Sequence, residues 1–280
     1  MMLRTLAIVG VGLIGGSIAL AARSRRIAKR ILGVGPDGDG LARARQRGIV
    51  DETFPDIAAA AQQAQAVVVC TPVDQIVEHV LAVAAAATPG TLLTDVGSTK
   101  AVIVRGLERR LPDGHTFVGS HPLAGSEKRG PDHADAHLLA GRRVVITPLA
   151  DDERAAVDRV RTFWQALGAS VTAMTPEEHD AALAMTSHLP HVVAAALAGV
   201  LTPEQIELTA TGFRDTTRIA AGDPALWTAI LLQNRAAVLA ALNSFGGALA
   251  QFRDALERGD RAAIDALLTH GKRNRDVLGS

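Results

Sequence analysis

His121 stands in the run Ser120-His121-Pro122-Leu123-Ala124-Gly125-Ser126-Glu127, and three more histidines follow it: His179, then His188 and His191 in Ser187-His188-Leu189-Pro190-His191. Further on, Gly212-Phe213-Arg214-Asp215-Thr216-Thr217-Arg218 places two guanidiniums four residues apart. Histidine titrates near neutral pH, so His121 can take a hydroxyl proton while a hydride leaves the same carbon. Arg214 and Arg218 share one face if their segment is helical, and two guanidiniums on one face suit a dicarboxylate. Taken singly, each of these residues reads as structural or solvated. In this order they put a base and two cationic groups where an anionic hydroxy acid could be oxidised.

Oxidation by hydride loss needs an acceptor, and the first fifteen residues supply a place for one. Gly10-Val11-Gly12-Leu13-Ile14-Gly15 follows the apolar run Leu6-Ala7-Ile8-Val9 and opens an alanine-rich helical stretch. In that strand-turn-helix setting the three glycines form a dinucleotide fingerprint. Gly10 serves the tight turn, Gly12 the approach of a pyrophosphate, and Gly15 close packing of helix on strand. The cofactor-facing set is therefore Gly10, Gly12, Leu13, Ile14 and Gly15, with Thr71 and Pro72 beyond the strand Ala66–Cys70, and Ser98. Ser98 lies in Asp95-Val96-Gly97-Ser98-Thr99-Lys100 directly after a strand. There it can reach the nicotinamide or the reacting carbon, or equally cap a helix, as can Thr99.

The acidic residue expected after the second strand, to hold ribose hydroxyls, is missing. Val34 is followed by Gly35-Pro36, and the nearest carboxylates are Asp37 and Asp39. NAD is favoured over NADP, but weakly, because no arginine follows that strand directly either. No metal is expected. His188 and His191 are separated by Leu189 and Pro190, the chain has one cysteine, and no H-E-x-x-H is present.

These residues need elements to hold them. Strands are predicted at Leu6–Val9, Arg30–Val34, Ala66–Cys70, Thr91–Asp95, Thr116–Gly119, Arg143–Thr147 and Ser170–Met174, the last at a sheet edge. Most are short and continuously apolar, with helical lengths between them, which is the pattern of a parallel sheet covered on both faces. Beyond Thr175-Pro176-Glu177-Glu178, β-branched runs give way to alanine and leucine. The expectation is a doubly wound Rossmann-type α/β domain over 1–174 and an all-α substrate and dimerisation domain over 175–280. One long helix is predicted from Pro224 to about Glu257. Its apolar residues Leu231, Val238, Leu242, Phe245, Leu249, Phe252 and Leu256 fall at spacings of 7, 4, 3, 4, 3 and 4, suited to packing along another helix within or between subunits.

Composition agrees with a globular enzyme. The 280 residues are 48% hydrophobic and 21% charged, with 29 basic against 29 acidic side chains. Without a net basic field, neither nucleic acid nor an anionic membrane is an expected partner. The lone Cys70, in an apolar strand end, reads as a core residue of a chain kept in a reducing compartment. No export signal and no apolar run of about 20 residues is evident, so the cytoplasm is expected.

The segments GVGLIGGS, DVGSTK, SHPLAGSEKRG, MTPEEHD with SHLPH, GFRDTTRIA, and DPALW with Asn234 shortly after, resemble the prephenate dehydrogenases of the TyrA family. That family also includes arogenate and cyclohexadienyl dehydrogenases, and the resemblance runs almost end to end. It implies NAD(P)-linked oxidative decarboxylation of prephenate to 4-hydroxyphenylpyruvate on the way to tyrosine, with arogenate as the alternative substrate. On matching positions, it implies that His121 pairs with the ring hydroxyl and that Ser98 orients it. Arg218 would bind a carboxylate with Arg214 in support, while His179, His188 and His191 line the substrate side. Glu127 would gate the site or join its polar network, Trp227 would close one wall, and the helical domain would form a homodimer core. With a short tail after Leu268, neither the regulatory ACT segment nor the chorismate mutase segment of some relatives is expected. Two other readings are a 3-hydroxyacid or imine dehydrogenase and a non-catalytic NAD(P) sensor. The first generally needs a lysine in the helical domain, where only Lys272 is available. The second leaves His121, Ser98 and the arginines without a purpose.

Overall fold

A computed structural model describes residues 2–36, 38–125 and 128–279. In chain order the first part comprises β1 (Leu3–Val9), α1 (Leu13–Ser24), β2 (Ala28–Val34), α2 (Asp39–Gln46), β3 (Glu52–Phe54), α3 (Ile57–Ala61), β4 (Ala66–Val69) and α4 (Ile76–Ala86). There follow β5 (Leu92–Asp95), α5 (Ala101–Leu107), β6 (Phe117–Pro122), β7 (Arg143–Thr147), α6 (Arg154–Ala166) and β8 (Ser170–Ala173). The strands form one eight-stranded sheet in the order β3-β2-β1-β4-β5-β6-β7-β8.

Alternate residues of each central strand feed opposite faces, and both faces are covered. Leu6, Ile8, Ile31, Ala66 and Val68 join one apolar cluster, while Ala7, Val9, Leu32, Val34, Val67 and Val69 join the other. This explains why the strands read as unbroken apolar runs rather than as an alternation.

The sheet departs from the expected one in two places. Glu52–Phe54 adds a short strand at the edge, paired parallel to β2. Its three partly buried residues carry too little apolar patterning to be legible. Strand β6 runs past Gly119 to Pro122, and β7 pairs with it antiparallel, His121 opposite Val145. A parallel pair would need a crossover helix. Among the described residues of the connection 123–142 the one helical element is a 3₁₀ turn, Pro131–His133, too short for such a crossover.

Beyond the sheet come α7 (Pro176–Leu183), a π-helical turn (Ala184–His188), α8 (Leu189–Gly199), α9 (Pro203–Ile206), α10 (Thr211–Thr217), a 3₁₀ turn (Arg218–Ala221) and α11 (Pro224–Gln233). A second compact unit, 235–280, contains α12 (Arg235–Glu257) and α13 (Arg261–Val277); the first unit runs through Asn234. The expected single helix from Pro224 to Glu257 is therefore two. The break falls at Asn234, whose side chain leaves the helical register to donate to the Asp180 carbonyl at 2.7 Å and to reach His188 at 3.1 Å. A buried amide with two such partners outweighs one further helical turn.

The continuous segment Pro176–Gly199 is long and apolar enough by composition to cross a membrane, contrary to the expectation that no such run exists. It nonetheless buries His179, Asp180, His188 and His191, and these polar side chains form the site described next.

Candidate active site

Strand order reverses between β1 and β4, and the crevice at that point is where open α/β sheets hold dinucleotides. Gly10 turns with φ +95°, and a Cβ there would meet the Cys70 carbonyl oxygen at 2.8 Å. A Cβ on Gly15 would lie 2.2 Å from the Gly10 carbonyl, so helix α1 could not approach the strand. Gly12 has open space around its Cβ position and caps α1 without a side-chain bond, which leaves first-turn N–H groups for phosphate oxygens. Leu13 and Ile14 flank this cradle at the start of α1. Across the crevice, the Thr71 hydroxyl lies 2.9 Å from Nδ1 of His79, and the exposed Pro72 ends the β4 loop. These residues fit a dinucleotide. The Cys70 thiol, raised by burial and by the Asp95 charge, is a core group and not a nucleophile.

Further along the carboxyl edge, β5 and β6 position the polar centre. The Asp95 carboxylate accepts the Ser120 amide at 2.9 Å and the Gly97 amide at 2.8 Å, and it ion-pairs with the Lys100 ammonium. The Ser120 hydroxyl receives the Trp164 indole N–H at 3.0 Å and lies 2.6 Å from the Thr94 hydroxyl, which donates to the Val118 carbonyl. Ser120 must therefore donate to Thr94. This lattice fixes the end of β6 and with it His121. Ser98 stands partly exposed at the end of β5. Neither Ser98 nor Thr99 caps α5: Thr99 donates to Gln233 at 2.6 Å, and the cap comes from Asp180, far along the chain. One Asp180 oxygen accepts the Lys100 N–H at 2.8 Å, the other the Ala101 N–H at 2.9 Å.

Asp180 is placed by a strong helix start. Thr175 and Glu178 form a reciprocal capping box with Pro176 at the first helical position. One turn on, His179 and Asp180 are buried, their side chains joined Nδ1 to Oδ1 at 2.8 Å. Nε2 of His179 meets Nδ1 of His121 at 2.9 Å. The π turn precedes Pro190, which has no N–H to donate into the helix. A widened turn at that point brings His188 and His191 to the same region. Trp227, on α11, stacks on His191 with centroids 3.6 Å apart and packs edge-on to His188 at 6.2 Å. Close packing is possible because Gly222 has no side chain; a Cβ there would meet Trp227 at 2.6 Å.

Every shifted histidine here is held toward its neutral form. Burial, with His179, Lys100 and His188 near, keeps His121 well below the ordinary histidine value. Burial brings His188 down to about 4 and lowers His191. For Asp180 burial opposes ionisation, but the hydrogen bonds from His179, Ala101 and Lys100 outweigh it and lower its pKa. Nε2 of His188 and Nδ1 of His191 are buried without a hydrogen-bond partner among the described residues, an arrangement a polar ligand would satisfy.

The structure thus brings together His121, His179, His188, His191 and Trp227. Arg214 is exposed on α10, while Arg218 begins the following 3₁₀ turn, so the pair does not share one regular helix. Both segments pack on α8, the helix of His191. Glu127 lies outside the described residues, as does Asp37. Asp95, Lys100, Ser120, Asp180 and Gly222 were not singled out from sequence. Asp95 and Lys100 were within reach as the two ends of the DVGSTK motif, and Asp180 as the neighbour of His179.

Residues 18–173 match the family model described as prephenate dehydrogenase, nucleotide-binding domain, and residues 175–270 match prephenate dehydrogenase, dimerization domain. The chain belongs to the prephenate dehydrogenase family. It is 34% identical to the prephenate dehydrogenase of Bacillus subtilis over 98% of this chain and 76% of that protein. It is 35% identical to the cyclohexadienyl dehydrogenase of Zymomonas mobilis, over 96% of this chain and 93% of the relative. The crystal structure of Aquifex aeolicus prephenate dehydrogenase with hydroxyphenyl propionate and NAD+ superposes with a TM-score of 0.93 at 31% identity, covering 99% of both chains. A prephenate dehydrogenase fold with NAD(P) chemistry is thereby shown for this chain.

Proposed function

We infer that the chain oxidatively decarboxylates prephenate to 4-hydroxyphenylpyruvate with an NAD(P) cofactor. The observation that carries this reading is a part-buried His121, held toward its neutral form at the end of β6, on the same sheet edge as the glycine cradle. It lies near His188 and His191, which pack on Trp227 and keep unsatisfied ring nitrogens among the described residues.

Gly10, Gly12, Leu13, Ile14 and Gly15 would hold the pyrophosphate end of the cofactor, with Thr71, Pro72 and Ser98 along its path. When bound, the cofactor accepts the hydride. His121 receives the ring hydroxyl proton through Nε2, and Ser98 orients that hydroxyl. Hydride and carbon dioxide loss make the ring aromatic, so the protein's task is to position the substrate and take up one proton. Arg218, supported by Arg214, pairs with a substrate carboxylate. His188 and His191 hydrogen-bond polar groups of the substrate, Trp227 closes a wall, and Glu127 gates the entrance.

NAD is preferred, weakly. Residues 175–280 act as the substrate-binding and dimerisation domain, which makes the enzyme a homodimer, and its place is the cytoplasm. The homology to a cyclohexadienyl dehydrogenase keeps arogenate as a second substrate. Purified protein is assayed with prephenate or arogenate and each cofactor at the reduced-nicotinamide absorbance. Turnover of prephenate with carbon dioxide release supports the reading. Turnover of arogenate alone would transfer it to the second substrate, and inertness toward both would end it.

A further inference from the structure

His179 and Asp180 are adjacent in sequence, yet both side chains turn inward and reach His121 in series. Asp180 accepts at Oδ1 from His179 Nδ1 at 2.8 Å, and Nε2 of His179 lies 2.9 Å from Nδ1 of His121. None of the three is more than partly exposed, and His179 is fully buried. The Asp180 carboxylate is itself held, since its two oxygens take the Lys100 and Ala101 amides from the start of α5.

These contacts fix where the protons are. An ionised carboxylate only accepts, so in the one-proton form that can take up a further proton His179 carries it on Nδ1 and presents a lone pair at Nε2. The only favourable partner for that lone pair is an N–H on Nδ1 of His121. His121 then has no proton on Nε2, the nitrogen left over for a ligand. We propose that Asp180 and His179 are positioning residues that lock His121 in the one tautomer able to act as base, and that receive the proton it accepts.

The inference rests on the reading of His121 as base. In the step, the substrate O–H bond breaks and the proton bonds to Nε2 of His121. The Nδ1–H of His121 breaks in turn, and its proton bonds to Nε2 of His179, which keeps its Nδ1–H on Asp180. The O–H electron pair becomes the second C–O bond as the C–H pair leaves as hydride to a bound nicotinamide. The bond to carbon dioxide then breaks, its pair passes through the ring to that oxygen, and the oxygen takes the proton back from Nε2 of His121. This gives the phenol with no further redox change. Until the relay reverses, the charge lies against Asp180. It does not remain on His121, where the neighbouring Lys100 and His188 disfavour it.

Asp180→Asn tests the idea because the new side chain keeps an oxygen for the Ala101 amide but offers N–H where Oδ1 took the His179 and Lys100 N–H groups. That reverses His179, forces Nδ1 of His121 to accept, and puts a proton on Nε2. The expected result is a fall in kcat of about 10²–10⁴, the usual worth of a general base, with KM within a few fold. Independently of activity, ¹⁵N spectra of the unmodified protein should show Nε2 of His121 unprotonated and Nδ1 protonated. In Asp180→Asn the pattern should invert. A protonated Nε2 in the unmodified protein would overturn the proposal even if Asp180→Asn failed to fold. So would a folded Asp180→Asn with kcat within threefold of the unmodified value. Loss of base function in His121→Asn, with normal tautomers and a normal Asp180→Asn, would leave the base in place and remove only the relay.

Discussion

Lys100 and Asp95 form an ion pair with neither side chain exposed to solvent, five residues apart across the loop that follows β5. Asp95 also takes two backbone N–H groups, so its charge is fully engaged, and Lys100 supplies the one compensating cation bonded to it. Removing that cation by Lys100→Met strands a buried carboxylate, a change that costs about 3–5 kcal/mol. The midpoint of urea unfolding should drop accordingly. Loss of the nearby positive charge also favours protonated His121, so the acid limb of kcat/KM should move to higher pH. An unaltered midpoint and an unaltered limb would show that the pair contributes to neither.

Folding stability should fall on mild acidification. His188 titrates at about 4 in the folded chain because it is buried, whereas a histidine in the unfolded chain titrates near 6.5. Between those values the unfolded chain binds a proton that the folded chain refuses. Stability is therefore present above pH 6.5 and is lost as pH falls toward 4, by up to about 3 kcal/mol for this residue. His121 and His191 are lowered too and act in the same direction. Unfolding midpoints at pH 7 and pH 4.5 measure the difference, and His188→Asn should make it smaller. A flat profile would contradict the burial of these rings.

The sheet was largely legible because its strands are buried on both faces and declare themselves as apolar runs; β8 even falls at the edge where Ser170–Met174 was expected. Strand direction was not legible, since an apolar run such as Arg143–Thr147 reads the same either way and the turn-back lies in residues 123–142. The break at Asn234 was hidden for a related reason. The apolar spacing continues through it, and the cause is a tertiary hydrogen bond to Asp180, 54 residues earlier. At the site, the histidines were visible by type. Their wiring was not, because Asp180 caps a helix that begins 79 residues before it.

Assembly should depend on the outer face of α12. Leu249 and Leu256, from the apolar stripe, are 53% and 64% exposed, and neighbouring exposed apolar side chains of this kind mark interaction surfaces. Leu249→Glu should leave the protomer's fold nearly unchanged, since the side chain is not in its core. In a dimer it would bury an unpaired carboxylate. Sedimentation should then show monomers where the unmodified protein shows dimers. Dimers persisting in the variant at the same concentration would place the interface elsewhere.

Cofactor choice turns on Gly35. It follows β2, its amide donates to the Phe54 carbonyl at 3.2 Å, and a Cβ built on it meets nothing within 4 Å. A carboxylate can therefore be added there without strain. Arg45 on α2 is exposed, while Arg43 and the following Arg47 each pair with Asp132 at 3.1 Å. Neither is released to grip a 2′-phosphate without giving up an ion pair. The unmodified enzyme should thus favour NAD by only about tenfold in kcat/KM, roughly 1–2 kcal/mol. Gly35→Asp should raise that ratio, because the new carboxylate bonds the ribose hydroxyls and repels a 2′-phosphate. Asp132→Ala is the complementary change. It frees Arg43 and Arg47 and should shift the ratio toward NADP with little effect on kcat for NAD. A strong NADP preference in the unmodified enzyme would mean that Arg45, or Arg43 after leaving Asp132, folds back onto the 2′-phosphate and would overturn the assignment.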